Sequence, residues 1–217
     1  MTAADGNGWQ AASSPRDPRP HVRIAPPDTR ARTRVHPDIR FNPIPDLPYC
    51  RDVPVKLLIM SDTHLPKRGQ DLPAQVWDGV AEADVVFHAG DWVLESLLDK
   101  LERRARRVVG VWGNNDGPGL RRRLPEVARV ELEGIRIAMT HETGASDGRE
   151  KRCDKAYPDT DLLIFGHSHI PWDTTTPGGL RLLNPGSPTD RRKQPDHTYL
   201  TAVAENGALH DVVLHRM

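Results

Sequence analysis

Long apolar segments are absent from this sequence of 217 residues, and no stretch is long enough to span a bilayer as a helix. Cysteine is scarce, and the only two, Cys50 and Cys153, do not make a disulfide framework. We expect both to be free thiols in a reducing cytosol. The formal net charge is zero, which gives no global attraction to nucleic acid or to a membrane surface. The sequence therefore predicts a cytoplasmic protein without a membrane partner and gives no indication of nucleic-acid binding.

Lysine and glutamate are missing from residues 1–54, which hold ten of the 20 prolines, eight arginines and six aspartates. Such a segment cannot bury enough apolar surface to offset the entropy of ordering it, so we predict a disordered Pro/Arg-rich tail. It lacks the apolar segment of a secretory signal, and its six aspartates argue against a transit peptide. Residues 55–217 are then predicted to form a single domain that is large enough for a core.

Strand and helix patterns alternate in the first half of this domain. Short apolar runs predict strands, and apolar residues at helical spacing predict amphipathic helices. The predicted order is strand 55–60, helix 73–83, strand 84–89, helix 93–105 and strand 108–112. This alternation is typical of βαβ units around a mainly parallel sheet.

Hairpins dominate the second half. One is predicted over 127–140 with its turn at Glu133-Gly134, and another over 199–214 with its turn at Asn206-Gly207. A polar helix is predicted at 149–156 and a strand at 161–165. Parallel units followed by hairpins predict an α/β fold in which two sheets pack face to face with helices outside.

Five motifs follow predicted strands in a fixed order. They are Asp62-Thr63-His64, Gly90-Asp91, Gly113-Asn114-Asn115-Asp116, His141 and Gly166-His167-Ser168-His169. In open α/β sheets, ligands collect beyond the carboxyl ends of the strands, so we expect these side chains to lie along one edge. Imidazoles, carboxylates and one amide together are the ligand set of a two-metal hydrolase.

The residue types and their spacing suit that chemistry. Asp62 and His64 are one residue apart, as are His167 and His169, and in an extended segment such residues project to the same side. Asp91 offers two oxygens, which can bridge cations about 3.5–4 Å apart. The amide oxygen of an asparagine is a natural donor in a mixed oxygen and nitrogen sphere.

Each motif alone also has a simpler explanation. Asp62-Thr63-His64 and the loop from Gly113 are rich in residues that favour turns and caps. A lone histidine such as His141 is more often packed or exposed than metal-bound. The simpler explanation must be repeated five times, at five strand ends, so we favour a metal site.

The order D-x-H, GD, GN-x-D, H, GHxH resembles the calcineurin-like metallophosphoesterase superfamily. The short length, the compact spacing and the segment 182–188 after GHxH resemble its small bacterial and archaeal phosphodiesterase branch. The resemblance covers residues 55 to about 214. It implies a four-layer α/β/β/α sandwich and two divalent metal ions, with Mn²⁺ expected first and Ni²⁺, Fe²⁺ or Zn²⁺ as alternatives.

The resemblance also implies a division of the ligands between the metals. One metal would be held by Asp62, His64, Asp91 and His169, and the other by Asp91, Asn114, His141 and His167. A hydroxide bridging the two metals would attack a phosphodiester, a small phosphorylated substrate. A phosphomonoesterase or a nucleotide hydrolase on the same site is the alternative within the enzyme class. A non-catalytic protein-binding scaffold is the other, since the same fold serves in the retromer coat with degraded metal ligands; the intact ligands here argue against it.

Two positions depart from the family pattern. Many members carry a histidine at the position of Asn115 that helps to protonate the leaving group, which an amide cannot do at neutral pH. We assign Asn115 and Asp116 to the leaving-group region on this basis. The second departure is His141-Glu142-Thr143, where His-Gly-His is common in the branch. Whether Glu142 or Thr143 lines the pocket stays open from sequence.

Substrate contacts are predicted from the segment that follows the last motif. The loop from Asn184 to Ser187 is expected at the site from the resemblance, with a plain turn as the alternative. Arg191 and Arg192 follow it, and guanidinium groups pair well with phosphoryl oxygens; a solvated loop explains them equally well. Members of the branch often pair, so a homodimer is left open.

Overall fold

The computed structural model describes residues 54–217 and the two-residue strand Asn42–Pro43. This strand falls inside the segment predicted to be a disordered tail. The rest of that segment, including Cys50, lies outside the described residues. In the described residues no helix has the length and apolar character needed to cross a membrane.

Strands and helices alternate as the sequence patterns predict. The strands are β1 Asn42–Pro43, β2 Val55–Met60, β3 Val85–His88, β4 Val108–Gly110, β5 Val127–Leu132, β6 Ile135–Thr140, β7 Leu162–Ile164, β8 Trp172–Thr175, β9 Arg181–Asn184, β10 Thr198–Glu205 and β11 Ala208–Arg216. The helices are α1 Ala74–Glu82, α2 Glu95–Arg104, α3 Pro118–Arg123 and α4 Arg149–Ala156.

These strands form two sheets, which confirms the predicted α/β architecture. One sheet has the order β1-β5-β6-β7-β9-β8 and the other β11-β10-β2-β3-β4. Strands β2, β3 and β4 are parallel neighbours, and so are β6, β7 and β9. The carboxyl ends of three parallel strands in each sheet therefore point the same way, and the loops that follow them carry the motifs.

The hydrophobic core consists of separate clusters, because successive side chains of a strand point to opposite faces of its sheet. In β2, Leu57 and Ile59 face the other sheet, where they join Ile137 and Ile164 of β6 and β7. Leu58 of the same strand faces outward, in a second cluster that includes apolar residues of α1 and α2. A third cluster lies between the β6–β7–β9 sheet and α4. Helices on both outer faces complete the four layers.

The two predicted hairpins are confirmed, and the backbone of the second shows why its sequence forms a tight turn. Asn206 and Gly207 adopt φ values of +51° and +76°, the left-handed conformation that a tight two-residue hairpin turn requires. Glu205 pairs with Ala208 across this turn. The asparagine–glycine pair therefore sets the register of β10 against β11.

Besides β1, three described elements were not anticipated. Helix α3 has only six residues, three of them arginine, and strands β8 and β9 have four residues each. Elements this short carry little periodicity. Their pairing partners, β9 for β8 and β7 for β9, decide their structure.

Candidate metal centre

The loops after β2, β3, β6 and β7 are joined by backbone hydrogen bonds. The Asp62 N–H donates to the Gly90 carbonyl at 2.9 Å, and the His64 N–H donates to the Asp91 carbonyl at 3.0 Å. The Gly166 N–H donates to the carbonyl of His141 at 3.0 Å. These bonds join the motif loops within each sheet, and the His167 N–H, which donates to Asp62 Oδ2 at 3.0 Å, brings the loops of the two sheets together, as the strand-end positions predicted.

One group of ligands, which we call the first subsite, consists of Asp62, His64, Asp91 and His169. His169 Nε2 lies 3.3 Å from Asp62 Oδ1 and 3.2 Å from His64 Nε2. His64 Nε2 is in turn 3.5 Å from Asp91 Oδ2. Ligand atoms of Asp62, His64 and His169 all lie within 4.8 Å of one another, close enough to share one cation.

The second subsite consists of Asp91, Asn114, His141 and His167. His141 Nε2 lies 3.4 Å from Asp91 Oδ2 and 3.0 Å from Asn114 Oδ1. His167 Nδ1 is 3.1 Å from the same amide oxygen. Asp91 Oδ2 is thus the atom common to both subsites, and the bridging of two cations by this carboxylate stays a prediction.

Two of the histidines are oriented by backbone carbonyls. His141 Nδ1 donates to the Ala89 carbonyl at 2.8 Å, and His169 Nδ1 donates to the Asp190 carbonyl. A carbonyl can only accept, so Nδ1 carries a proton in each ring, and Nε2 is the ring atom that faces the site. Once Nε2 is deprotonated, these rings and the facing oxygen atoms would offer lone pairs to divalent cations, which would take the place of the protons between them.

Burial reinforces this need for positive charge. The side chains of Asp62 and Asp91 are fully buried, and unpaired buried carboxylates are strongly destabilising. Burial raises the pKa of Asp91, but hydrogen bonds from His141 and Asn115 outweigh this and hold the pKa below its usual range. Burial lowers the pKa of His141, but the hydrogen bond and charge of Asp91 and the charge of Asp62 raise that pKa to about 9. A bound cation would replace this proton as the counter-charge.

The backbone corrects one sequence-based expectation. Asp62, His64, Asp91, His167 and His169 have φ values of +57°, +47°, +59°, +67° and +58°, in the left-handed region that non-glycine residues rarely adopt. The pair Asp62 and His64 and the pair His167 and His169 therefore converge through left-handed turns rather than through extended segments. Strained conformations of this kind concentrate at functional sites, where surrounding bonds hold them.

Gly113 is required by close packing against the Asp91 carboxylate. A Cβ at this position would lie 2.3 Å from Asp91 Oδ1 and 2.4 Å from the Asp91 backbone nitrogen. The loop that carries Asn114 therefore approaches Asp91 so closely that no side chain fits at position 113.

Asp116 is a correction to the predicted site. Its carboxylate is buried and accepts backbone N–H groups from Asp91 at 3.0 Å, Val93 at 2.7 Å and Gly113 at 2.7 Å. Because both oxygens are used within the protein, Asp116 joins two motif loops and does not face a leaving group. Asn115 is exposed and donates from Nδ2 to Asp91 Oδ2 at 2.6 Å. Its assignment to the leaving-group region stays a prediction.

Asn184 is a second correction. The side chain is fully buried and donates to the Gly166 carbonyl at 2.8 Å and to Ser168 Oγ at 3.2 Å. It also accepts the Gly186 N–H at 2.9 Å. Asn184 therefore shapes the Gly166–His169 loop from behind and does not contact a substrate.

Arg191 and Arg192 are exposed on the segment that follows Asp190. The Arg191 guanidinium donates to the Gln194 carbonyl at 2.7 Å, within its own turn. The predicted contact of these two arginines with a substrate phosphate stays a prediction.

Apart from Ser187, which belongs to the loop expected at the site, the supporting residues of this segment were not anticipated from sequence. The Ser187 hydroxyl donates to the Asp62 carbonyl at 2.8 Å, and the Thr189 hydroxyl donates to the Thr63 carbonyl at 2.6 Å. The Asp190 side chain pairs with Arg68 at 3.0 Å, while its carbonyl orients His169. Contacts to backbone carbonyls leave no residue-type signature, so no pattern in the sequence could have indicated them.

The sequence left open whether the side chain of Glu142 lines the pocket, and the structure places it there. Its Oε1 lies 3.5 Å from His167 Nδ1, so this side chain faces the second subsite. It also lines, with Glu126, Trp112 and the two ligands Asn114 and His141, a cavity of about 190 Å³. The site is therefore more acidic at this mouth than the motifs alone indicate.

The described cysteine and the histidine of β3 are packed residues. Cys153 is a free, buried thiol, as predicted. His88 is fully buried in β3 and stacks on Trp92 with ring centroids 3.6 Å apart. Neither residue belongs to the site.

A two-sheet α/β sandwich whose strand ends present carboxylates, imidazoles and an amide oxygen in two adjoining clusters defines a metal-dependent hydrolase. Comparison with known sequences gives the family. The profile of the calcineurin-like phosphoesterase superfamily domain matches residues 55–207. The chain belongs to this superfamily, whose members depend on metal.

Known relatives agree with this assignment. A probable metallophosphoesterase of Methanocaldococcus jannaschii is 36% identical over 134 residues, which are 60% of this chain and 67% of that protein. A phosphodiesterase of the same organism is 25% identical over 128 residues, or 53% and 74% of the two chains.

Solved structures share the fold. A Thermotoga maritima protein solved by NMR is 30% identical, covers 75% of this chain and 99% of its own, and has a TM-score of 0.61. The zinc complex of Vps29 from Entamoeba histolytica has a TM-score of 0.60 at 23% identity, covering 75% and 98%. At that identity the likeness to Vps29 is one of fold alone.

Proposed function

We propose that this chain is a phosphodiesterase that works with two divalent metal ions, with Mn²⁺ as the first candidate. The observation that carries the proposal is the position of Asp91 Oδ2, which lies 3.5 Å from His64 Nε2 and 3.4 Å from His141 Nε2. One carboxylate oxygen thus lies between two clusters of donor atoms. Two cations held there would lower the pKa of a shared water toward neutrality and stabilise charge on the phosphoryl oxygens.

The residues of the chain supply binding and orientation. Asp62 and Asp91 supply the negative charge at the ligand positions predicted from the motifs, and the histidines would hold the metals as neutral rings. Two carboxylates neutralise only part of the charge of two divalent ions, so the centre attracts an anionic phosphate ester. His167, whose side chain is 47% exposed, lies at the open side where such an ester enters.

The preference for diesters is supported by the phosphodiesterase relative of Methanocaldococcus jannaschii. A phosphomonoesterase or a nucleotide hydrolase would use the same centre. A protein-binding scaffold is disfavoured because all seven ligand positions hold residues with nitrogen or oxygen donor atoms, and these atoms meet in the two subsites. The buried free thiol of Cys153 supports a reducing, cytoplasmic location.

The direct test is hydrolysis of bis(p-nitrophenyl) phosphate with Mn²⁺, before and after chelation with EDTA. We expect turnover that chelation abolishes and added Mn²⁺ restores, and slower turnover of the monoester p-nitrophenyl phosphate. Faster monoester turnover would select the phosphomonoesterase instead. No hydrolysis with any first-row divalent metal would select the scaffold.

A second prediction concerns the leaving group. Asn115 lies beside Asp91, and its amide cannot deliver a proton to a departing alkoxide. General acid catalysis contributes about 10²–10⁴-fold, so diesters with alkyl leaving groups are expected to react at least about 10²-fold more slowly than aryl diesters. Steady-state rates with the two classes measure this. Equal rates would mean that another group supplies the proton.

Replacing Asn115 with histidine gives the matched variant. It restores the residue type that many family members carry at this position, and the exposed site tolerates the larger ring. We expect the gap between alkyl and aryl diesters to narrow in Asn115→His. If the difference in rate between alkyl and aryl diesters is unchanged, the residue at position 115 does not take part in protonating the leaving group.

A further inference from the structure

We propose that Glu142 is an additional metal ligand, which supplies a carboxylate to the second subsite beside Asp91, Asn114, His141 and His167. The inference rests on the proposed two-metal function. It adds a donor that the five motifs do not contain, at a position where glycine is common in the phosphodiesterase branch.

The geometry of Glu142 carries this proposal. Donor atoms of His141, Glu142 and His167 all lie within 4.8 Å of one another, and Glu142 Oε1 is 3.5 Å from His167 Nδ1. Donors at about 2.0–2.2 Å from one metal lie up to about 4.4 Å apart. The three side chains can therefore share a cation after a small rotation of an exposed glutamate.

A simple ion pair explains this contact less well. His167 Nδ1 also faces the Asn114 amide oxygen at 3.1 Å, so one ring nitrogen is approached by two oxygen atoms. The two side chains of the pair are 47% and 51% exposed, and exposed pairs of this kind contribute little on their own. A cation among the two oxygens and the nitrogen satisfies all three at once.

The added carboxylate would change what the second subsite prefers. Without Glu142, this subsite offers two imidazole nitrogens, one amide oxygen and the shared oxygen of Asp91. A further anionic oxygen makes the ligand set of this subsite harder in the Lewis-base sense. Such a set suits Mn²⁺ better than a softer ion such as Zn²⁺. Loss of Glu142 should therefore weaken Mn²⁺ binding more than Zn²⁺ binding.

The experiment is a titration of the full, metal-stripped chain with Mn²⁺ and, separately, with Zn²⁺, followed by calorimetry. The variant is Glu142→Gln, which keeps size and removes charge at an exposed position. The control is Glu126→Gln, because Glu126 lines the same cavity but, in the part of the chain that the structure describes, no hydrogen bond or ion pair joins it to a metal ligand.

We expect the wild-type chain to bind two Mn²⁺ and Glu142→Gln to lose about 10-fold or more in affinity at one site, with the other site unchanged and a smaller loss for Zn²⁺. Glu126→Gln should leave both sites as in the wild type. Two sites of unchanged affinity in Glu142→Gln would overturn the role of Glu142 and leave the proposed function intact. Equal losses in the two variants would also overturn it, since they would indicate a general effect of charge. A wild-type chain without a second Mn²⁺ would overturn both proposals.

Discussion

Asp91→Asn is expected to lower kcat/KM for an aryl phosphodiester by about 10³-fold or more, a loss typical of removing a central electrostatic group. Asp91 Oδ2 is the atom shared by the two subsites, 3.5 Å from His64 Nε2 and 3.4 Å from His141 Nε2. An amide has a single, uncharged oxygen, and its NH₂ group would face the donating Nδ2 of Asn115. An uncharged side chain with a single oxygen therefore cannot hold two cations together.

The same variant should lose metal as well as activity. We expect at most one tightly bound Mn²⁺ per Asp91→Asn chain, measured by elemental analysis after dialysis. The control is Asp99→Asn, because Asp99 is an exposed residue of α2 that pairs with Arg123 at 2.7 Å, and a surface pair of this kind contributes little. Two retained Mn²⁺ with a rate within about 10-fold of the wild type would show that Asp91 does not bridge.

The second large effect is expected for Asp116→Ala, on stability. The buried carboxylate accepts three backbone N–H groups, from Asp91, Val93 and Gly113. Alanine leaves these donors without a partner, and each buried unsatisfied group costs about 1–3 kcal/mol. We expect the free energy of unfolding to fall by about 3 kcal/mol or more.

Urea denaturation of the metal-free chain measures this change without a contribution from bound cations. Asp173→Ala is the matched control, since the Asp173 carboxylate is exposed and pairs with Arg181 at 2.8 Å, so its loss should cost about 1 kcal/mol or less. Metal affinity should also fall in Asp116→Ala, because the loops of Asp91 and Asn114 lose their common anchor. A stability within 1 kcal/mol of the wild type would mean that water replaces the carboxylate.

Local patterns predicted much of the fold because they act over a few residues. The alternation of apolar runs and amphipathic helices placed β2, α1, β3 and α2, and the pair Asn206-Gly207 placed the last hairpin. Strands β8 and β9 escaped prediction, since four residues carry too little periodicity and long-range pairing decides their structure.

Some residues of the site could likewise be predicted from local sequence and others could not. The seven metal-ligand candidates were recognisable because residue type and strand-end position are both visible in the sequence. Asp116 and Asn184 were misassigned because polar residues beside a motif look alike whether they face a substrate or the protein. Only their partners, backbone N–H groups for Asp116 and the Gly166 carbonyl for Asn184, separate the two cases.

The sequence by itself determined the order of the elements, the α/β class and the chemical identity of the donors, since each depends on residue types within short stretches. Only the tertiary structure decided that one oxygen of Asp91 is common to both clusters and that the ligand-bearing loops turn through left-handed conformations. It also decided that Glu142 faces His167. The physical reason is that these features depend on distances between residues far apart in the chain, which packing of the two sheets sets and no local pattern records.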